Sequence, residues 1–357
     1  MGSAFAALGT AGANARVRGL YARRLTEKQW DDLIRSDDYE GALTALAATS
    51  YGRVLGPLLG DSNLTLRRVE RELWAASANN CWHARGMLMG GARDLFRVWW
   101  QHWELENLKT VFRGVHYGLD HEAVRDLLIP LGRRQTLPWD ALLHETTVSG
   151  LIERTEGTHY INPLRNATPA YLRDGTLFAL EVALDVRYYR DVAQAIKRLT
   201  GADRKVALQL LGTYIDMLNI LWAYRYRIFY GLSPEEIVNY TLWHTWHTGT
   251  DLIRDIALGA SPREVVERVW GSWRVDVSPL AGMPEGQMVP VLEMILERYW
   301  RGLARKAMSG YPFGLGPLLG YVILDELECR DVVRALEGKA IGWPPERIRE
   351  VLVRAEE

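Results

Sequence analysis

Two clusters in this 357-residue chain have the residue types to hold a cation. His244-x-x-His247 with Asp251 would place two imidazoles at i and i+3 and a carboxylate four residues on, as a transition-metal site on one helix face requires. Gly249 is expected to end that helix between them, and Trp243 and Trp246 suggest a packed aromatic face, so the reading adopted is a cluster at a helix end. Asp325-Glu326-x-Glu328 groups carboxylates of the kind that hold Mg²⁺ against a diphosphate. A second acidic cluster at suitable spacing is not evident. Cys81 and Cys329 have no activating histidine in a recognisable motif and are expected to be buried thiols. Gly338-Lys339 runs into Ala340 without phosphate-loop spacing, and Gly-x-Ser-x-Gly, His-Glu-x-x-His and dinucleotide-binding glycines are missing. The expectation is a non-catalytic protein with no metal, no cofactor and no direct nucleotide binding.

Asp325 also belongs to a repeat. Glu104-x-x-Asn107 is followed by Arg113, Asp216-x-x-Asn219 by Arg225, and Asp325-x-x-Glu328 by Arg334, each arginine six residues after the second polar residue. The acids stand 112 and 109 residues apart. Behind each arginine comes a second signature: Gly118 with Glu122 and Val124, Gly231 with Glu235 and Ile237, Gly342 with Glu346 and Ile348. Physically that is a helix stop, a turn, and a new helix with an acid in its first turn, where the helix dipole favours it. Glu70, Glu181 and Glu293 form a third set, 32 to 35 residues before the acids.

On a helix, i and i+3 share a face, while nine residues at about 100° each turn the arginine to roughly the opposite side. The spacing therefore leads us to expect Arg113 to pair with Glu70, Arg225 with Glu181 and Arg334 with Glu293, the other reading being exposed charges without fixed partners. Breaking such a pair would cost about 3–5 kcal/mol if buried and under about 1 kcal/mol if exposed.

The elements that must carry these residues read as helices throughout. Thr26-Glu27-Lys28-Gln29, Ser233-Pro234-Glu235-Glu236 and Ser261-Pro262-Arg263-Glu264 have capping-box spacing. Leu66, Val69 and Leu73 recur at helical spacing, as do Val332 and Leu336. Residues 132–138, 155–169 and 275–286 read as irregular. The fold class is all-α, divided into a loose tail (1–14) and three helical units (15–125, 126–237 and 238–357).

Composition narrows the partners. Hydrophobic residues make up 48 % and charged residues 24 %, with 43 Lys+Arg against 44 Asp+Glu, so no global field draws nucleic acid or an anionic membrane. Two cysteines suit a reducing compartment, and the N-terminus lacks the pattern of a signal peptide. Residues 208–232 are apolar but carry Asp216, Asn219, Arg225 and Arg227, so no membrane span is expected. The 14 tryptophans suit either core or partner surfaces.

Ordered segments carry a family resemblance. Ala15-Arg16-Val17-Arg18-Gly19-Leu20, Leu25-Thr26-Glu27 and Ala48-Thr49-Ser50-Tyr51-Gly52 resemble the opening of the C subunits of rotary V/A-type ATPases, the counterparts of the d subunits of vacuolar ATPases. Glu104-Leu105-Glu106-Asn107-Leu108-Lys109-Thr110 resembles that family's D-x-x-N-L-K-T segment, with Glu104 in place of its Asp. The stretch from Pro312-Phe313-Gly314 through Gly320-Tyr321, Glu328, Arg334 and Gly338-Lys339 to Pro344-Pro345-Glu346 is similar to its closing signature. It departs at Glu328-Cys329-Arg330, and residues 155–176 are longer than the family pattern.

The resemblance implies a funnel of three similar units around a pseudo-threefold axis. It would lie peripherally on the cytoplasmic face of the membrane, between the proteolipid ring and the central-stalk shaft, as a rotor part in ion transport and ATP synthesis. Two alternatives differ in class: a helical-repeat scaffold unrelated to rotary motors, and a Mg²⁺-dependent terpenoid-synthase-like enzyme using the Asp325 cluster.

Overall fold

The computed structural model describes residues 2–61, 63–271 and 274–354, with side chains from Gly12 onward. Every regular element among them is helical. The chain opens with α1 (Gly2–Tyr21), α2 (Glu27–Arg35), α3 (Tyr39–Ala47) and the single turn α4 (Gly52–Leu55). A pair of long helices follows, α5 (Leu66–Gly86) and α6 (Gly90–His116). The short helices α7 (His121–Leu127), α8 (Trp139–Leu143) and α9 (Val148–Arg154), then α10 (Ile161–Asp174), lead to a second long pair. It consists of α11 (Phe178–Lys197) and a continuous helix made of α12 (Gly201–Ala207), a π turn (Leu208–Gly212) and α13 (Thr213–Ile228). After α14 (Pro234–Tyr240), α15 (Thr250–Ala257) and α16 (Pro262–Trp270) comes the third pair, α17 (Glu285–Met308) and α18 (Gly316–Ala340), then α19 (Pro345–Glu350).

Local chemistry sets many of these boundaries. Thr26, Ser233 and Ser261 each close a reciprocal capping box with Gln29, Glu236 and Glu264, satisfying N–H groups that a helix start leaves unpaired. The second helix of each long pair stops just before Gly118, Gly231 or Gly342, whose φ angles of +71°, +60° and +74° lie in the left-handed region that glycine enters without a Cβ clash. The next helix then carries Glu122, Glu235 or Glu346 in its first turn and buries Val124, Ile237 or Ile348.

Two expectations about irregular chain change. Residues 161–169 belong to α10 despite two prolines. Pro163 lies in the first turn, where its missing N–H costs nothing, while Pro169 gives up one helical bond; the buried Ile161 and Leu164 anchor that helix beside α11. The stretch 132–138 holds only a 3₁₀ turn at Gly132–Arg134, and the one from 275 holds another at Ser278–Leu280 before α17 takes in Gly286. The expected tail falls largely outside the described residues, since Met1 and the side chains through Ala11 are not described. Its end is helical, with Ala13 and Asn14 buried.

The long helices pack pair against pair, with α11 meeting α12 only near the turn of the second pair. α6 lies against α5 and α11, α13 against α17, and α18 against both α17 and α5, so the last pair returns to the first. One hydrophobic cluster runs through all three pairs, and a second joins Trp30, Leu33, Leu46 and Leu73 to Val332, Leu336 and Ile348. Trp100, Trp103 and Trp300 are wholly buried; each indole contributes roughly 4–6 kcal/mol of transfer free energy. The helix Gly201–Ile228 is long and apolar enough to cross a membrane by length and composition, but 67 % of its most apolar stretch is buried inside the protein.

Candidate functional site

The repeated acids accept several hydrogen bonds each, Glu104 and Asp216 fully buried and Asp325 partly so. Glu104 of α6 accepts hydrogen bonds from the Thr136 hydroxyl (2.7 Å), the Thr136 amide, the Leu137 amide (3.1 Å) and the Trp139 indole (3.3 Å). Asp216 of α13 does the same one repeat later, accepting from the amides of Trp246, His247 and Thr248 at 3.0–3.1 Å and from the Thr248 hydroxyl at 2.9 Å. Each acid pins the loop that follows the next short helix. The neighbouring asparagines complete the clamp. Asn107 exchanges two 2.8 Å bonds with the backbone of Ile129, and Asn219 exchanges bonds of 2.7 and 3.2 Å with that of Leu242.

The third copy is built differently. Asp325 accepts from Ser77 and Asn80 of α5, both at 2.8 Å, and so holds a helix of the first pair, while the loop after α19 is held by Asp331, which accepts from the amides of Val353 (2.8 Å) and Arg354 (2.9 Å). Burial, with Glu328 nearby, pushes its carboxyl up to about 7. Glu328 reaches Arg24 at 2.8 Å and Tyr51 at 3.3 Å, fastening the segment after α1. Burial raises its carboxyl above the usual range, with Arg24 and the Leu25 amide pulling back. These groups border a cavity of about 400 Å³ between α1, α4, α5 and α18.

The expected arginine pairs are each displaced. Arg113 does not meet Glu70 but forms a two-pronged pair with Glu181 of α11 at 2.7 and 2.8 Å. Arg225 passes over Glu181 and bonds Glu293 of α17 at 2.6 Å. Both arginines thus bind the first helix of the next long pair. The acid's face turns toward its own loop, so the opposite face looks away from its own pair.

Arg334 misses Glu293 by one turn and bonds the buried Glu297 at 3.0 Å, which Arg330 also engages. Glu70 is left with Arg67 of its own helix at 3.3 Å. Its burial, together with the nearby Glu337 charge, lifts its carboxyl.

Two further ionic positions escaped the sequence reading. Lys109 reaches the half-buried Asp185 of α11 at 2.6 Å, whose carboxyl desolvation pushes up to about 6 despite the lysine. Lys109 and Arg330 each lie five residues after a repeated acid, and Asp185 and Glu297 each lie four after a repeated glutamate. That register was available in the sequence. The long helices also border an open cavity of about 360 Å³, lined by Glu70, Trp103, Arg113, Asp185, Tyr214 and Arg330 among others, from all three pairs.

The cation candidates are not assembled. Residues 243–247 lie in a loop rather than at a helix end, Gly249 precedes α15 instead of terminating a helix, and Asp251 faces Arg254 at 3.7 Å. Glu326 pairs with Arg330 at 3.2 Å, turned away from Asp325 and Glu328. No group of three metal-binding side chains occurs among the described residues. Cys81 and Cys329 are buried free thiols, and burial pushes both far above the ordinary thiol range.

The sequence pattern of the ATP synthase (C/AC39) subunit family matches residues 13–351. The chain is similar to the C subunit of the A-type ATP synthase of Methanocaldococcus jannaschii, 24 % identical over 95 % of this chain and 85 % of that protein. It is likewise similar to the corresponding A-type C subunits of Methanobrevibacter smithii (26 %; 95 % and 87 %) and Archaeoglobus fulgidus (25 %; 93 % and 90 %).

Proposed function

The chain belongs to the ATP synthase (C/AC39) subunit family, and on that premise we propose that it is a non-catalytic rotor subunit of an A-type ATP synthase. It passes torque between the central shaft and the membrane proteolipid ring, and so couples ATP chemistry to ion transport. The observation that carries this reading is the packing of the long helices, each pair bound to the next and α18 returning to α5. A torque adaptor must resist twisting. Here the connections are made by packed helices and directed polar contacts, which deform less readily than loops.

In this reading the units 15–125, 126–237 and 238–357 stand around a pseudo-threefold axis as a funnel. The open cavity among the long helices is the floor of a socket for the shaft, and the protein lies peripherally on the cytoplasmic face. The repeated acids serve the frame. Glu104 and Asp216 are committed to backbone donors and Asp325 to α5, which argues against the diphosphate-binding enzyme. A stand-alone repeat scaffold has no need of the return contact between the last helix pair and the first.

Depletion and add-back test this directly. Removing the chain from a reconstituted A-type complex should leave ATP hydrolysis by the soluble sector while abolishing ion pumping, and adding it back should restore pumping. Unchanged pumping without the chain would overturn the proposal.

A further inference from the structure

The Asp216 clamp fixes a loop, 241–249, with unusual surface chemistry. Trp243 is 73 % exposed and Trp246 is 39 % exposed, whereas most tryptophans of the chain are partly or fully buried. Beside them lies a cavity of about 290 Å³ lined by Val186, Tyr189, Leu242 and Trp243, with Arg190 and His244 at its polar side and no carboxylate in its lining. Arg190 and Lys197 are both exposed and both act electrostatically on His244, placing them beside the loop. Neither forms an ion pair among the described residues, although most arginines of the chain do. The nearby acids are engaged elsewhere: Asp216 by the loop backbone, Asp191 by Arg187, Asp203 by the Leu315 amide and Asp251 by Arg254.

We propose that the surface formed by the C-terminal half of α11 and the 241–249 loop binds the headgroup region of an anionic lipid bilayer directly. Indoles beside uncompensated cations are the side-chain chemistry of a membrane interface, the ring partitioning below the headgroups and the cation meeting their phosphates. Arg190 and Lys197 stand seven residues apart, about 10 Å along the helix, which suits a field of charge better than one carboxylate of a peptide. The loop is already ordered, so binding loses little conformational freedom. This contact goes beyond the coupling role and does not depend on it, because protein-free vesicles read it alone.

Flotation of the full chain should show binding to phosphatidylcholine vesicles containing phosphatidylglycerol, weakening as salt rises, and little binding to phosphatidylcholine alone. Arg190→Gln/Lys197→Gln should lower partitioning about 30-fold, at about 1 kcal/mol per cation, and Trp243→Ser/Trp246→Ser should lower it as well. An equal charge loss at Arg53 and Arg125 should have little effect. Circular dichroism of these surface variants checks their fold. No flotation, equal binding to neutral vesicles, or wild-type binding by the patch variants would each overturn the proposal. Binding of the patch only to the protein surface of the membrane sector, with no flotation, would do so too and would reassign it to a protein partner.

Discussion

The first two repeats and the third solve the same problem differently. In the first two, a buried acid and asparagine on the long helix clamp a downstream loop, and a half-exposed arginine reaches forward to the next helix pair. In the third, the loop clamp passes to Asp331, which holds the amides of Val353 and Arg354, while Asp325 grips α5 and the arginines fold back onto Glu297 of their own pair. The last pair therefore joins the first unit through buried packing, Asp325 against α5 and the Arg24–Glu328 bridge, rather than through an arginine of α18 reaching forward. One residue pattern, placed against different neighbours, yields two kinds of joint.

The contrast can be broken most forcefully at Glu297. Its carboxylate is buried and shared by Arg330 and Arg334, so Glu297→Ala should cost about 3–5 kcal/mol by urea denaturation. A loss below about 1 kcal/mol, the range of an exposed pair, would mean the third repeat is no stronger than the others.

Titration tests the same joint. Burial raises Asp325 to about 7, so between about pH 4 and 7 the folded state retains a proton that the unfolded chain has released. The stability contributed by this group is present at the acid end and is lost as pH rises through about 7. The advantage of wild type over Asp325→Asn should therefore shrink by about 2–4 kcal/mol from pH 4 to pH 8. A pH-independent difference would place the carboxyl in solvent.

Asp216→Ala and Glu104→Ala should each cost about 2–3 kcal/mol through unmet donors. Each should also speed hydrogen exchange in its own loop, at Trp246–Thr248 or Thr136–Leu137 respectively. Asp325→Ala should speed exchange in neither. The smallest effect belongs to the forward bridges: Arg113 is 48 % exposed on its side chain, so Arg113→Ala should cost under about 1 kcal/mol and couple to Glu181→Ala in a double-mutant cycle.

Much of this frame was legible in the residues. The capping boxes at Thr26, Ser233 and Ser261, the glycine stops, and the acids opening the following helices are local features, decided within a few residues by backbone hydrogen bonding and Cβ sterics. The helix over 161–169 was not legible, because packing beside α11 outweighs the penalty of Pro169. The arginine partners failed for a related reason. Periodicity shows which residues share a helix face, but which neighbour that face meets is set by tertiary packing. The return of α18 to α5 was likewise invisible to periodicity, since it joins residues 248 positions apart.

The most direct test of the coupling role is capture of the tagged full chain with the purified proteolipid ring, with the central-shaft proteins, and with both together. An adaptor should bind each partner separately and bridge the two in one complex. Binding to neither, with all partners folded, would contradict the assignment and leave a helical scaffold without a motor.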